Sequence, residues 1–106
     1  MENIRVVHVS HYNGDGVYVG RGCYGFGKSV LANPFVIGKD GDRNEVIEKY
    51  RKWLWIEYNK GGEVRNELDR LSDIVRRGDR LVLMCWCKPK ACHGDVIKRC
   101  IERMVN

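Results

Sequence analysis

The sequence predicts a small α/β fold: helices packed on a mixed or mostly parallel sheet, in a Rossmann-like arrangement. Three observations predict it. The apolar patterns follow in the order β-β-α-α-β-α, the run Leu81–Met84 is apolar without a break, as in a strand covered on both faces, and the 106 residues fit one domain. We therefore expect a single α/β domain over residues 1–106.

The N-terminal part predicts two short strands and a long loop. The β-branched residues of 4–9 indicate the first strand, and residues 17–19 indicate the second after the turn-forming segment Asn13-Gly14-Asp15-Gly16. A glycine-rich loop follows over residues 20–29. Pro34 disfavours a helix immediately before it.

Three helices are predicted from spacing and end signals. Asp42 and Glu45 resemble a capping box, and Gly61-Gly62 ends the first helix. The second helix stops at Gly78. The third runs from about His93 to Val105. The predicted inward residues are Val46, Ile47, Tyr50, Trp53 and Leu54 in the first helix, Val64, Leu68, Leu71 and Val75 in the second, and Ile97, Cys100, Ile101 and Met104 in the third.

Composition narrows the class of protein. Apolar residues make up 43% and charged residues 31%, which argues against disorder, and no apolar stretch is long enough to cross a bilayer. The N-terminus lacks the pattern of a signal peptide, and five cysteines, an odd number with three crowded together, do not suggest a disulfide framework. We expect a soluble, cytoplasmic protein with reduced thiols, in which Cys23 and Cys100 act as small buried hydrophobes.

The net charge of +5 arises in the C-terminal part. Residues 1–75 hold 11 basic and 11 acidic residues, whereas residues 76–106 hold 8 basic and 3 acidic ones. This distribution favours an anionic partner such as a nucleotide, phosphate or nucleic acid. A solvated basic face is an equally good explanation, so the charge alone does not choose between them.

A cluster of thiols and an imidazole lies where the buried strand meets the last helix. Its members are Cys85, Cys87, Cys92 and His93, with Asp95 in the first helical turn. In open α/β sheets, ligands bind outside the carboxyl ends of strands and next to helix N-termini. We therefore expect the functional site at this junction.

Three chemistries suit this cluster. Zinc would take the four ligands Cys85, Cys87, Cys92 and His93, and an iron–sulfur cluster, less favoured, would take the three thiolates. Without a metal, Cys92 would be a reactive thiol at a helix N-terminus, assisted by His93 and Asp95. Adjacent residues diverge on a helix, so joint ligation by Cys92 and His93 would need a non-helical turn.

Residues 22–29 fit the phosphate-loop pattern G-x-x-x-x-G-K-S. The context argues against a nucleotide-hydrolase loop, because the loop should open a long helix and Pro34 follows too soon. A narrower role remains, in which the glycine amides and Lys28 contact a phosphate.

Several segments resemble one known family. They are Val17-Tyr18-Val19-Gly20-Arg21, Leu31-Ala32-Asn33-Pro34-Phe35, Ile37-Gly38, Arg43 ahead of Glu48-x-Tyr50, and Cys85-Trp86-Cys87-x-Pro89-x-x-Cys92-His93-Gly94-Asp95. The chain resembles domain of unknown function 4326 over residues 17–100, with Ala32 where the family usually has glycine. The resemblance implies a phage, archaeal-virus, bacterial or archaeal source and no established reaction. It implies that Gly20, Arg21, Asn33, Pro34 and Phe35 share one ligand site with the cysteines.

Two functions from different classes follow from these residues. In the first, the domain binds or processes a nucleotide, nucleoside or similar anionic ligand, with Arg21 and Asn33 as binding groups. Arg21 and Asn33 could equally well tie down loops. In the second, a zinc-stabilised basic module binds nucleic acid without catalysis, with Trp86 available for stacking, through the basic residues Arg76, Arg77, Arg80, Lys88 and Lys90.

Overall fold

The computed structural model describes residues 3–22 and 26–106 and confirms a small α/β fold. The elements follow the predicted order, with a short 3-10 turn at Val9–His11 after the first strand. Their bounds are β1 Ile4–His8, β2 Val17–Tyr18, α1 Arg43–Lys60, α2 Glu63–Arg76, β3 Leu81–Cys85 and α3 His93–Val105.

The sheet is parallel and has the strand order β1-β3-β2 within the described residues. The most apolar strand, β3, lies in the centre, where both of its edges are hydrogen-bonded. Ile4 pairs with Leu81 and His8 with Cys85 on one side, and Tyr18 pairs with Met84 on the other. Because the strands are parallel, His8, Tyr18 and Cys85 end at the same edge. The Rossmann-like arrangement stays a prediction.

The helix ends follow the local sequence signals. At the start of α1, the Glu45 N–H donates to Asp42 Oδ1 at 2.9 Å and the Asp42 N–H donates to Glu45 Oε1 at 3.0 Å, which is the predicted capping box. Gly61, with φ of 73°, ends α1, and Gly78, with φ of 86°, follows α2. Both are left-handed positions that favour glycine.

One hydrophobic core joins the three helices to the sheet. Its fully buried side chains include Leu83 of β3, Tyr50 of α1, Leu68 of α2 and Ile97 of α3. The Tyr50 hydroxyl donates to the Leu31 carbonyl at 2.7 Å, which fastens the loop before α1 to the core. Burial raises the pKa of Tyr50 well above its ordinary value, so this hydroxyl remains a donor.

Some predicted strand bounds were wrong by one residue. The first strand stops at His8, because the His8 ring accepts the Ser10 N–H at 3.1 Å and the chain turns there. The third strand extends to Cys85, one residue further than its apolar run. Cys100 and Met104 of α3 pack against the core, as predicted, and are half-buried rather than fully buried.

The loop before α1 differs from a phosphate-binding loop. From Phe26 to Asp42 the chain forms turns and no helix, and the next helix begins at Arg43. The long helix that a hydrolase loop should open is therefore missing, as expected from Pro34. The rest of that pattern, residues 23–25, lies outside the described residues, as does the predicted burial of Cys23. No helix in the described ranges combines the length and apolarity that crossing a membrane requires.

Candidate functional site

The candidate site lies at the carboxyl edge of the sheet, where β3 leads into α3. Cys85 ends β3, and Cys92 is the N-cap of α3. The connection between them contains a turn in which the Lys90 N–H donates to the Cys87 carbonyl at 2.9 Å, with a cis peptide bond before Pro89. This short connection returns the chain to the sheet edge and places three cysteines side by side.

Two of the three thiols are buried and in direct contact. Cys85 Sγ and Cys92 Sγ are 3.2 Å apart, and their residues are 1% and 2% exposed. Cys87 lies beyond the strand and is half-buried, so it is the thiol of this cluster most open to solvent. The structure thus brings together the three cysteines that the sequence singled out.

Hydrogen bonds divide the thiols by acidity. A hydrogen bond with Cys92 lowers the pKa of Cys87 to about 5, and the neighbouring Arg43 guanidinium acts in the same direction. A hydrogen bond with Cys92 also lowers the pKa of Cys85 to about 6. The pKa of Cys92 is raised, because its proton is shared with both neighbours. At neutral pH the negative charge of the cluster therefore lies on Cys85 and Cys87, and Cys92 keeps its proton.

Arg43 is a site residue that reasoning from residue chemistry missed. It is the first residue of α1, and its Nη1 donates to the Ala91 carbonyl at 3.0 Å, just before the N-cap of α3. Its guanidinium also lowers the pKa of the neighbouring Cys87 thiol. Arg43 and Ala91 are 48 positions apart in the chain, so no local pattern links them. The one available signal was that Arg43 belongs to the family motif.

His93 is directed into the protein. Its Nε2 lies 2.6 Å from the Val19 carbonyl oxygen, so Nε2 carries the proton and donates, and the ring meets Tyr50 edge-on at 5.0 Å. The residue is 8% exposed, and burial lowers the pKa of the imidazole. His93 thus joins the start of α3 to the end of β2.

Asp95 supports the helix terminus. Its Oδ2 accepts the Cys92 N–H at 3.1 Å, and its Oδ1 lies 2.5 Å from Lys88 Nζ. The first contact satisfies a helix N-terminal amide, and the second holds the 87–90 turn against α3. Both carboxylate oxygens are engaged, and neither is hydrogen-bonded to His93.

The residues predicted to bind a ligand with the cysteines form a fastened loop beside β2. Arg21 Nε donates to the Asn33 carbonyl at 3.1 Å, and Arg21 Nη2 donates to the Phe35 carbonyl at 2.7 Å. Asn33 Oδ1 accepts the Phe35 N–H at 2.9 Å, and Pro34 is exposed between them. These contacts agree with the interpretation in which Arg21 and Asn33 tie down loops.

Gly20 and Lys28 lie close to the end of β2. A Cβ at Gly20 would stand 2.5 Å from the Tyr18 hydroxyl oxygen, so glycine leaves room for this ring. The same hydroxyl accepts the Trp86 Nε1–H at 2.8 Å. The Ser29 N–H donates to the Gly20 carbonyl at 3.0 Å, which places the exposed Lys28 beside this edge.

Aromatic rings form a wall along the sheet edge. Tyr18 and Phe26 stack with centroids 4.5 Å apart, and Trp86, 38% exposed, meets Phe26 edge-on at 6.3 Å. His8 meets Trp86 edge-on at 5.7 Å from the end of β1. His8 was absent from the predicted site, because only the strand register places it next to Cys85.

The described residues contain no group of three His, Cys, Asp or Glu side chains arranged to hold a metal ion. Tetrahedral zinc with Zn–S bonds of about 2.3 Å keeps its sulfurs about 3.8 Å apart. The Cys85–Cys92 contact of 3.2 Å is closer than that, and His93 Nε2 is bonded to Val19. The donor set does not fit a closed four-ligand zinc site in this arrangement.

The basic residues of the nucleic-acid hypothesis lie at two ends of the sheet. Arg76, Arg77 and Arg80 precede β3, whereas Lys88 and Lys90 follow it. Arg76 pairs with Asp73 at 3.2 Å. They therefore do not form one continuous surface around the cysteines.

Comparison with known proteins places the chain among relatives without a described activity. It is 41% identical over 70 residues to an uncharacterized 12.4 kDa protein of the nrdA-td intergenic region of Enterobacteria phage T4. The match covers 64% of this chain and 57% of that relative. No solved structure matches the chain. The model of domain of unknown function DUF4326 matches residues 4–103, and the chain therefore belongs to this family.

Proposed function

We propose that this protein binds a nucleotide, nucleoside or similar anionic small molecule at the carboxyl edge of its sheet and acts on it through the thiolate of Cys87. The observation that carries the proposal is the convergence of Cys85, Cys87 and Cys92 beside Arg43 at the N-terminus of α3. A thiolate is the nucleophilic form of cysteine, and a positive neighbour favours it.

Cys87 suits the nucleophile's role better than Cys92. Cys92 is 2% exposed and its pKa is raised, so its sulfur is covered and protonated at neutral pH. Cys87 is half-buried and its pKa is lowered to about 5. Cys92 then supplies a hydrogen bond to the nucleophile, and Asp95 positions the helix terminus.

The surroundings favour a ligand that joins an aromatic ring to an anionic group. The half-exposed Trp86 and Phe26 offer ring faces and edges of the kind on which nucleobases stack. Arg43, the α3 N-terminus and the nearby Lys28 supply positive charge. Reduced thiols of this kind suit the cytoplasm.

His8 is the imidazole best placed for proton transfer. It ends β1 next to Cys85 and is partly exposed, whereas His93 is buried and bonded to Val19. An imidazole at this edge can accept or donate a proton at a ligand bound there. We assign this role to His8 and a positioning role to His93.

Alkylation of the purified protein by iodoacetamide, followed by peptide mass spectrometry, tests the proposal. We expect Cys87 to react first. Its rate of alkylation should level off above about pH 6, because the thiolate is already formed at that pH. The matched comparison is Cys100, on the same protein, whose pKa burial raises. Equal rates at Cys87 and Cys100 over this range would contradict the nucleophile assignment.

Protection from alkylation tests the ligand class. Adenosine, its mono- and triphosphates, and inorganic phosphate are added singly at increasing concentration, and the labelling rate of Cys87 is followed. We expect a nucleotide to slow labelling more than phosphate or the nucleoside alone. Unchanged labelling with every compound would refute a nucleotide site at this edge while leaving the thiol chemistry intact.

A further inference from the structure

The contact between Cys85 and Cys92 is itself a chemical feature, apart from any ligand. Their sulfurs are 3.2 Å apart, which is closer than ordinary contact between two thiols, and both residues are buried. Buried cysteines often serve as small apolar side chains. Two cysteines whose sulfurs are in contact can also be oxidised to a disulfide.

We propose that Cys85 and Cys92 form a reversible disulfide, so that the site is a dithiol–disulfide redox centre that exchanges with low-molecular-weight disulfides through Cys87. The inference rests on the thiol cluster of the proposed function and is independent of its nucleotide-class ligand.

The backbone holds the two cysteines in position for this bond. Cys85 is fixed as the last residue of the central strand, where His8 of β1 is its register partner. Cys92 is fixed by Asp95, which accepts its N–H at 3.1 Å. Bond formation brings the sulfurs from 3.2 Å to about 2.0 Å, which small side-chain rotations can supply.

The exchange balances with a small disulfide, RSSR, as the oxidant. The Cys87 thiolate attacks one sulfur of RSSR, forms a mixed disulfide and releases RS⁻. Cys92 gives its proton to the released RS⁻, attacks the Cys87 sulfur and releases the second RS⁻. The Cys85 thiolate then attacks the Cys92 sulfur and frees the Cys87 thiolate. Two electrons pass from the protein to RSSR; the Cys92 proton ends on one RSH, and the second RS⁻ takes a proton from water.

Cys87 is the thiol that meets the oxidant, because it is the most open of the three. Cys85 and Cys92 are buried, so a molecule the size of glutathione disulfide reaches their sulfurs much more slowly than it reaches Cys87. The order of steps therefore follows from exposure: entry at Cys87, then transfer inward to the buried pair.

Peptide mapping after oxidation tests the inference on the full chain. The protein is incubated with glutathione disulfide, its remaining thiols are blocked with iodoacetamide under denaturing conditions, and it is digested. Chymotrypsin cleaves after Trp86 and trypsin after Lys90, so Cys85, Cys87 and Cys92 fall on separate peptides. We expect a Cys85–Cys92 linked pair, three of the five thiols still alkylated, and full reversal by dithiothreitol.

Variants assign the roles of the three cysteines. Cys87→Ala is expected to slow disulfide formation by about tenfold or more while the same Cys85–Cys92 bond still forms. Cys92→Ala abolishes the bond, and Cys100→Ala is the control that leaves rate and product unchanged. Far-UV circular dichroism checks that each variant is folded. The peptide map of the oxidised wild-type protein tests the inference without any variant.

Three results would overturn the inference: wild-type protein that keeps all five thiols, a Cys87–Cys92 product, or a disulfide between two chains. None of these bears on nucleotide protection of Cys87. Conversely, a Cys85–Cys92 disulfide without any protection by nucleotides would uphold the redox centre and refute the proposed ligand.

Discussion

Replacing His93 by alanine tests whether this residue holds the fold together or carries chemistry. The substitution removes the donor to the Val19 carbonyl, at 2.6 Å, and the edge contact with Tyr50, at 5.0 Å. A buried carbonyl left without a donor costs about 1–3 kcal/mol, and an aromatic edge contact contributes about 0.5–1.5 kcal/mol. We expect His93→Ala to lower the free energy of unfolding by about 3 kcal/mol.

Urea and thermal unfolding monitored by circular dichroism measure this loss. At about 4 °C per kcal/mol for a domain of this size, the Tm falls by about 12 °C. His11→Ala is the matched control, because His11 is exposed, and its effect should stay within about 0.5 kcal/mol. An unchanged Tm together with loss of Cys87 alkylation would refute the structural assignment and restore His93 to the chemistry.

The same residue predicts a pH dependence of stability. Burial lowers the pKa of His93 below the value of about 6.5 that it has in the unfolded chain. The unfolded chain therefore binds the proton more readily, so the contribution of His93 is fully present above about pH 6.5 and is lost as the pH falls below it. The difference in unfolding free energy between wild type and His93→Ala should shrink between pH 7 and pH 5, and a constant difference would contradict this assignment.

Three further predictions concern the site and its support. Arg43→Gln should shift the pH profile of Cys87 alkylation to higher pH, since the guanidinium favours the thiolate, whereas Arg51→Gln, on the same helix, should leave the profile unchanged. Gly94→Ala should destabilise the protein by about 1–3 kcal/mol in urea unfolding, because its Cβ would stand 2.8 Å from a β1 side chain; Gly27→Ala, with nothing within 4 Å, should cost little. Elemental analysis of protein purified without chelators should find well below one zinc or iron per chain, and a stoichiometric metal would refute the dithiol centre.

The N-terminal half shows where prediction from the sequence stops. The capping box at Asp42 and Glu45 was predicted correctly, because a helix start depends on residues three positions apart. The second strand has only two residues, Val17–Tyr18, and its pairing with β3 spans more than sixty positions of the chain. No local pattern specifies such a pairing, so the strand order had to come from the structure.

The cysteine cluster shows the same division. The end of a buried strand and the start of a helix predicted that the cysteines would lie at one sheet edge, and Cys85 and Cys92 are in contact there. The strand ends at Cys85, so strand alternation does not account for the position of Cys87. The direction of His93 could not be predicted, since its partner, the Val19 carbonyl, lies 74 positions away and only the packing of α3 on the sheet brings them together.

The sequence by itself determined the class of fold, the helix ends and the location of the thiols, because each depends on apolar periodicity or on residues close in the chain. Only the tertiary structure decided which thiol is open, which imidazole is buried and where Arg43 lies. Those outcomes depend on contacts between elements far apart in the chain, and burial and charge at such contacts are properties of the packed molecule.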